Sequence, residues 1–266
     1  MSFAFVKGHG TRNDFIVLPD PDGSVHGNLA DDLVVALCDR RGGLGADGVL
    51  RVVRSTGDCE WFMDHRNADG SIVEMCGNGV RVFARYLARE GLVQPNGSFA
   101  IDTRDGIKRV TFCDDGDISV DMGAGRLGEP VKSAVAGRAL DAVSVNVGNP
   151  HAVAFVESLD EAGDLRDAPE FSADDFPHGV NVEFAVVGGP GEIAMRVYER
   201  GVGETQSCGT GACAVAFATA ARDSIAAPTT YRIDVPGGVV SVTYDPAGQL
   251  HLKGPAVLVA DGVWTA

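Results

Sequence analysis

Lysine is scarce in this chain: Lys7, Lys108, Lys132 and Lys253 are the only four. None sits in a convincing cofactor motif, so a pyridoxal enzyme has no evident Schiff-base lysine. Cys-Xaa-Xaa-Cys pairs are absent, and Cys208 and Cys213 fall outside the common zinc-ligand spacing. No metal and no other cofactor is therefore expected. No apolar run approaches the length that crosses a bilayer. Met1-Ser2-Phe3-Ala4-Phe5 leads straight to Lys7 and His9, without the pattern of a secretory signal. Positive charge is short as well. The 22 Lys and Arg face 37 Asp and Glu, for a net charge of -15. Nucleic acid and anionic membrane are thus not expected partners. The glycine-rich loop from Arg41 to Gly48 lacks the Gly-Lys-Ser/Thr ending of a phosphate cradle, and a helical pattern rather than a strand precedes it. The six cysteines are expected to be free thiols in a reducing, cytoplasmic setting, because a 266-residue chain does not need disulfide staples.

One device is present twice. Cys76-Gly77-Asn78-Gly79 and Cys208-Gly209-Thr210-Gly211 each put a thiol on a glycine-rich turn at the head of an expected helix, about half the chain apart. A sulfur there faces unpaired backbone N–H groups, and the helix dipole favours its thiolate. Gly77-Asn78 and Gly209-Thr210 let the backbone approach a ligand, and their amides suit a carboxylate. Two such turns acting on one substrate suit a reaction on both faces of the carbon beside that carboxylate. One sulfur takes the α-proton and the other returns a proton to the opposite face.

Along the chain, short apolar strands alternate with glycine turns. Helices are expected in Asp31 to Arg40, in the residues after Gly79 and in Gly211 to Ala221, with a short one in the polar excursion from Leu159 to Phe171. His65 to Gly70 reads as a turn. Gly123 to Ala139, poor in aromatics and rich in Gly, Pro and Ala, reads as a linker or domain crossing. The expected fold is α/β (α+β), with two similar domains that each wrap a curved, mostly antiparallel sheet around a central helix. The first takes residues 1–122 and 255–266, the second 123–254.

A nucleophilic cysteine served by His9, His65, His151 or His178 would instead make a hydrolase, although this leaves the second cysteine turn unexplained. A non-catalytic amino-acid-binding protein of the same fold also stays open.

The motifs, in order and spacing, resemble the diaminopimelate epimerase family over nearly the whole chain. They include His9-Gly10 through Asn13-Asp14-Phe15, Asn67-Ala68-Asp69-Gly70-Ser71, the two cysteine turns, Gly148-Asn149-Pro150-His151, Val180-Asn181, Tyr198-Glu199-Arg200-Gly201 and Pro236-Gly237-Gly238. The resemblance implies a pseudo-twofold, cofactor-independent fold that interconverts LL- and meso-diaminopimelate in lysine and peptidoglycan synthesis. It casts Cys76 and Cys208 as the acid–base pair, with His151 and Glu199 adjusting thiol protonation and Glu199 also meeting the α-ammonium. Asn13 is implied near the reacting amino acid, and Asn67, Asn149, Asn181 and Arg200 at the distal end. Arg200 can grip a carboxylate through two parallel hydrogen bonds. If it were buried and unpaired, it would penalise substrates lacking that group. The expected partner is a small molecule, and a homodimer is left open. The chain departs from the family pattern with Arg12 for glycine, Gly48 for glutamine, Thr210 for serine, and Val80-Arg81-Val82 where an Ala-Cys pairing is usual after the first motif.

Overall fold

The computed structural model describes residues 2–135 and 138–265. The chain forms two compact units, Met1–Val120 with Gly254–Ala266, and Asp121–Lys253. The first contains β1 (Ser2–Gly10), β2 (Asn13–Pro19), α1 (Asp31–Cys38), β3 (Gly48–Arg54), β4 (Trp61–Asn67), β5 (Ile72–Val73), α2 (Gly77–Arg89), β6 (Gly97–Thr103), β7 (Gly106–Phe112) and β8 (Ile118–Ala124), which ends across the boundary. The second contains β9 (Arg126–Val135), β10 (Arg138–Asn146), β11 (Pro150–Phe155), a 3-10 turn (Leu159–Ala162), β12 (Glu170–Phe171), β13 (Asn181–Val187), β14 (Glu192–Glu199), β15 (Gly203–Glu204), α3 (Gly209–Arg222), β16 (Thr229–Val235), β17 (Gly238–Tyr244) and β18 (Gln249–Gly254). Strand β19 (Val257–Thr265) pairs antiparallel with β1.

The two units repeat one plan. In the first, β2 runs parallel to β3, β3 antiparallel to β4, and β4 parallel to β6 after the crossover through α2. In the second, β11 runs parallel to β13, β13 antiparallel to β14, and β14 parallel to β16 after the crossover through α3. Each series ends in two antiparallel pairings, β6–β7–β8 and β16–β17–β18. The sequence repeat at the cysteine turns thus marks a repeat of the whole topology. Mixed α+β with few helices is the observed class, as expected.

Each helix is held by several strands of its own unit. Helix α2 packs on β1, β2, β3, β4, β7 and β19, and α3 on β10, β11, β13, β16 and β17. In α2 the i, i+3, i+4, i+7 set Val80, Phe83, Ala84 and Leu87 is fully buried. Each large member contributes about 1.5–3 kcal/mol on leaving water. Arg81, on the opposite stripe, is buried too; it donates to the carbonyls of Pro255 and Gly77 and to Thr11 Oγ1. Small residues let α3 be buried almost all round, from Gly211 through Ala216 and on to Ala220.

Two expectations are corrected. The stretch read as a linker or domain crossing lies just past the boundary between the units, but it is no linker: it is mostly β9, paired antiparallel with β10. It reads poorly because the strand is largely exposed and buries only alternate residues, Val131 and Ser133. Ala136 and Gly137, within that stretch, lie outside the described residues. The turn expected from His65 is strand as far as Asn67, and only Ala68–Gly70 turns back. Polar residues hold strand geometry there because Asp64, buried, is paired with Arg51, Arg66 and Arg104.

Candidate active-site residues

In the first unit Cys76 is the N-cap of α2. Its backbone is extended, and its sulfur accepts the Gly79 N–H at 3.5 Å. Cys76 is half-buried. Its Sγ lies 3.8 Å from Asn13 Oδ1, which also accepts from Asn78 Nδ2 at 3.2 Å. Asn13 Nδ2 donates to Asp47 at 2.8 Å. Behind it, Asp14 pairs with Lys7 and Arg40, and Arg40 also reaches Asp47. Burial pushes the Asp14 carboxyl up, but hydrogen bonds from Arg40 and Lys7 outweigh this and hold it well below the carboxylate range.

Asn67 is exposed, at the end of β4, and donates to Ser71 Oγ at 3.0 Å. Arg12 sits at φ 63°, the left-handed region that glycine occupies without strain, which accounts for the glycine expected there. At Gly48 a Cβ would come 2.5 Å from the Arg66 carbonyl, so the glutamine expected there would need β4 to shift.

In the second unit Cys208 repeats the arrangement as N-cap of α3, its sulfur accepting the Gly211 N–H at 3.4 Å with Thr210 Oγ1 at 3.5 Å. Unlike Cys76 it is buried. The turn favours the thiolate through the Thr210 hydroxyl and the Gly211 N–H, but its surroundings outweigh it. Burial raises its pKa well above the ordinary thiol value, Glu199 and Glu183 raise it further, and Thr210 and Gly211 only partly oppose them. These surroundings favour the thiol form of Cys208.

His151 lies beside Asn181 in the parallel register of β11 and β13, with Glu183 two residues further along β13. His151 Nδ1 is 2.7 Å from Glu183 Oε1, and Nε2 is 2.8 Å from Asn149 Oδ1. Asn181 Oδ1 accepts the Arg200 N–H at 2.9 Å. Glu199, at the end of β14, accepts from the Thr205 hydroxyl. Arg200 is not the buried, unpaired cation considered above. It is exposed, donates to the His178 carbonyl at 2.8 Å, and borders a cavity of about 260 Å³ with Phe176, Gly179 and Tyr198.

Within the second unit the structure thus brings together Asn149, His151, Asn181 and Arg200, and sets Thr210 against Cys208. Within the first it brings together Asn13, Cys76, Gly77 and Asn78. Glu183 was missed. The available signal was one carboxylate inside the otherwise apolar run Val182 to Val187, a strand whose first five residues are buried on both faces. Asp47 was missed as well, because only folding brings its loop to Asn13. Of the histidines weighed for a hydrolase, His65 is fully buried, with a pKa pushed down to about 3 by burial and then by Arg104. It is a poor proton acceptor. His9 Nδ1 is taken up by the Arg12 N–H at 3.3 Å.

A family model described as diaminopimelate epimerase matches residues 5–127 and 143–259. A protein of Streptomyces coelicolor named diaminopimelate epimerase is 53% identical, with 97% of this chain and 94% of that protein covered. One of Thermobifida fusca with the same name is 48% identical, at 97% and 96% coverage. Among solved structures, a phenazine biosynthesis protein of the PhzF family from Bacillus anthracis superposes with a TM-score of 0.77 at 16% identity, with both chains covered completely. A hydroxyproline epimerase from Agrobacterium vitis superposes with a TM-score of 0.73 at 13% identity, covering 98% of this chain and 92% of that one. At such identities the two structures speak for the fold alone.

Proposed function

The chain belongs to the diaminopimelate epimerase family, and we propose that it interconverts LL- and meso-diaminopimelate without a cofactor, using Cys76 and Cys208 as a two-base pair. The observation that carries this reading is the repeated N-cap: each sulfur accepts the N–H of the third residue on, at equivalent points of two units of the same plan. The amides of Gly77-Asn78 and Gly209-Thr210 receive the carboxylate beside the reacting carbon. One cysteine, as thiolate, removes the α-proton. The other, as thiol, delivers a proton to the opposite face, and configuration inverts. After turnover the two sulfurs have exchanged protonation states, so the reverse reaction uses the same groups. Glu199 meets the α-ammonium, and His151 moves protons at the thiols. Asn67, Asn149, Asn181 and Arg200 hold the distal ammonium and carboxylate. The reaction supplies meso-diaminopimelate to lysine and peptidoglycan precursors in the cytoplasm. Among the described residues no helix is long and apolar enough to cross a membrane.

The test is kcat/KM for diaminopimelate, proline, hydroxyproline, glutamate and lysine, in wild type and Arg200→Ala, with product analysed for solvent deuterium. A strong preference for diaminopimelate is expected, with deuterium at the inverted centre and a mutant defect mainly in KM. Faster turnover of a substrate with one carboxylate, or unchanged kinetics in the mutant, would defeat the proposal.

A further inference from the structure

Glu183 is a carboxylate with no solvent exposure, on a strand whose neighbouring side chains are apolar. Burying such a group costs several kcal/mol unless it is paired. It is paired with His151, equally buried, with Nδ1 at 2.7 Å from Oε1. Oε2 has no hydrogen-bond partner among the described residues. The carboxylate is also wedged in place. A Cβ on Gly211 would lie 2.7 Å from Oε1 and 3.3 Å from Cys208 Sγ, so Oε1 fills the space that glycine leaves at the first turn of α3. The other ring nitrogen, Nε2, meets half-buried Asn149.

We propose that Glu183 is a positioning residue for His151: it accepts the Nδ1–H and so leaves Nε2 as the nitrogen that gains and loses a proton during turnover. This rests on the function proposed above. A ring nitrogen held by an ionised carboxylate keeps its hydrogen, and the opposite nitrogen then carries the chemistry. The Asn149 amide can present its oxygen to a protonated Nε2, or its NH2 to a bare one. It can therefore follow Nε2 through both states by turning over. With an amide at position 183, this preference disappears, because a glutamine can donate to Nδ1 as readily as it accepts from it. The ring would then populate the other tautomer while keeping its place.

The experiment is nitrogen-15 NMR of the histidine rings, with the His151 signals identified by their loss in His151→Asn, together with kinetics of Glu183→Gln, His151→Asn and the double variant. Wild type should show a protonated Nδ1. Glu183→Gln should shift the ring toward protonated Nε2 and lower kcat about 10–100-fold, with KM changed by less than about threefold. In the His151→Asn background the second substitution should cost far less than in wild type, leaving only the direct effect of the Glu183 charge on the Cys208 thiol. A bare Nδ1 in wild type overturns the proposal, even if Glu183→Gln does not fold. So does a Glu183→Gln enzyme with wild-type kcat, a loss of kcat with unaltered ring signals, or an additive loss in the double variant. Failure of wild type to epimerise diaminopimelate would defeat the proposed function instead, and the ring spectra would still decide what Glu183 does to His151.

Discussion

Asp47 Oδ2 accepts a hydrogen bond from Asn13 Nδ2 at 2.8 Å, and this contact sets which way the Asn13 amide faces. With its nitrogen committed, Asn13 presents its oxygen to Asn78 and to the Cys76 sulfur. Asp47→Ala should free the amide to turn over and lower kcat/KM about tenfold, the low end for loss of a residue that orients a reacting group. Stability should change little. The Asp47 side chain is 43% exposed and its Arg40 partner 57%, and such pairs contribute about 0–1 kcal/mol. Kinetics and a thermal melt on one preparation check this. A kcat/KM within twofold of wild type would show that Asn13 holds its orientation unaided.

The parts of the site that lie next to each other in sequence were legible in the sequence. Cys76 and Cys208 could be placed at helix starts because the glycines and the change of period follow at once. Glu183 and Asp47 could not be assigned roles, since their partners His151 and Asn13 lie 32 and 34 residues away. The same limit applied to β4. His65 to Asn67 look like turn residues until the arginines that neutralise neighbouring Asp64 are placed around it. Strand β9 was missed for the opposite reason. Its exposure removes the apolar alternation by which strands are read.

Acid should destabilise the fold in two stages. Burial, then Arg104, pushes the His65 pKa down to about 3, whereas the unfolded residue titrates near ~6.5. Its folded pKa is depressed, so the unfolded chain binds the extra proton between these values. Stability is then complete above ~6.5 and falls as pH drops, by up to ~1.4 kcal/mol per pH unit. Asp14 is depressed as well, and its contribution is lost only below the ordinary carboxylate value of ~3.9. Urea unfolding at pH 7.5, 6 and 5 should show the first stage, and His65→Leu should flatten it. Parallel pH dependence in mutant and wild type would assign the effect to other groups.

Cys208 should resist alkylation. Burial raises its pKa, and Glu199 and Glu183 add to this. Iodoacetamide acts on the thiolate. At pH 8, peptide mapping should find Cys208 unlabelled in the native protein and labelled after denaturation. Glu199→Gln removes one of the two carboxylates and should speed native labelling at fixed pH. Unchanged or slower labelling in that variant would mean that access alone protects the sulfur.

Gly79 and Gly211 occupy the same place in the two cysteine turns, and an alanine should behave differently at each. Alanine favours a helix over glycine by about 1 kcal/mol, so the sign depends on what the new methyl meets. At position 79 it would approach the end of the Leu50 side chain at 3.3 Å, with Cys76 Cβ and Phe15 Cζ at an ordinary 3.6 Å. Leu50 can yield by a few tenths of an ångström, and Gly79→Ala should melt within a few degrees of wild type. At position 211 the methyl would lie 2.7 Å from Glu183 Oε1 and 3.3 Å from Cys208 Sγ. That oxygen cannot swing aside without breaking its 2.7 Å contact with His151 in a fully buried setting. Overpacking of this kind costs about 1–3 kcal/mol, more than the helix gains. Gly211→Ala should therefore lower the melting temperature and also depress kcat, because the displaced groups are Glu183 and the Cys208 sulfur. Melting curves with kcat per folded protein separate the two effects. Equal melting temperatures and equal kcat for the two variants would refute the steric account of why the second turn keeps its last glycine.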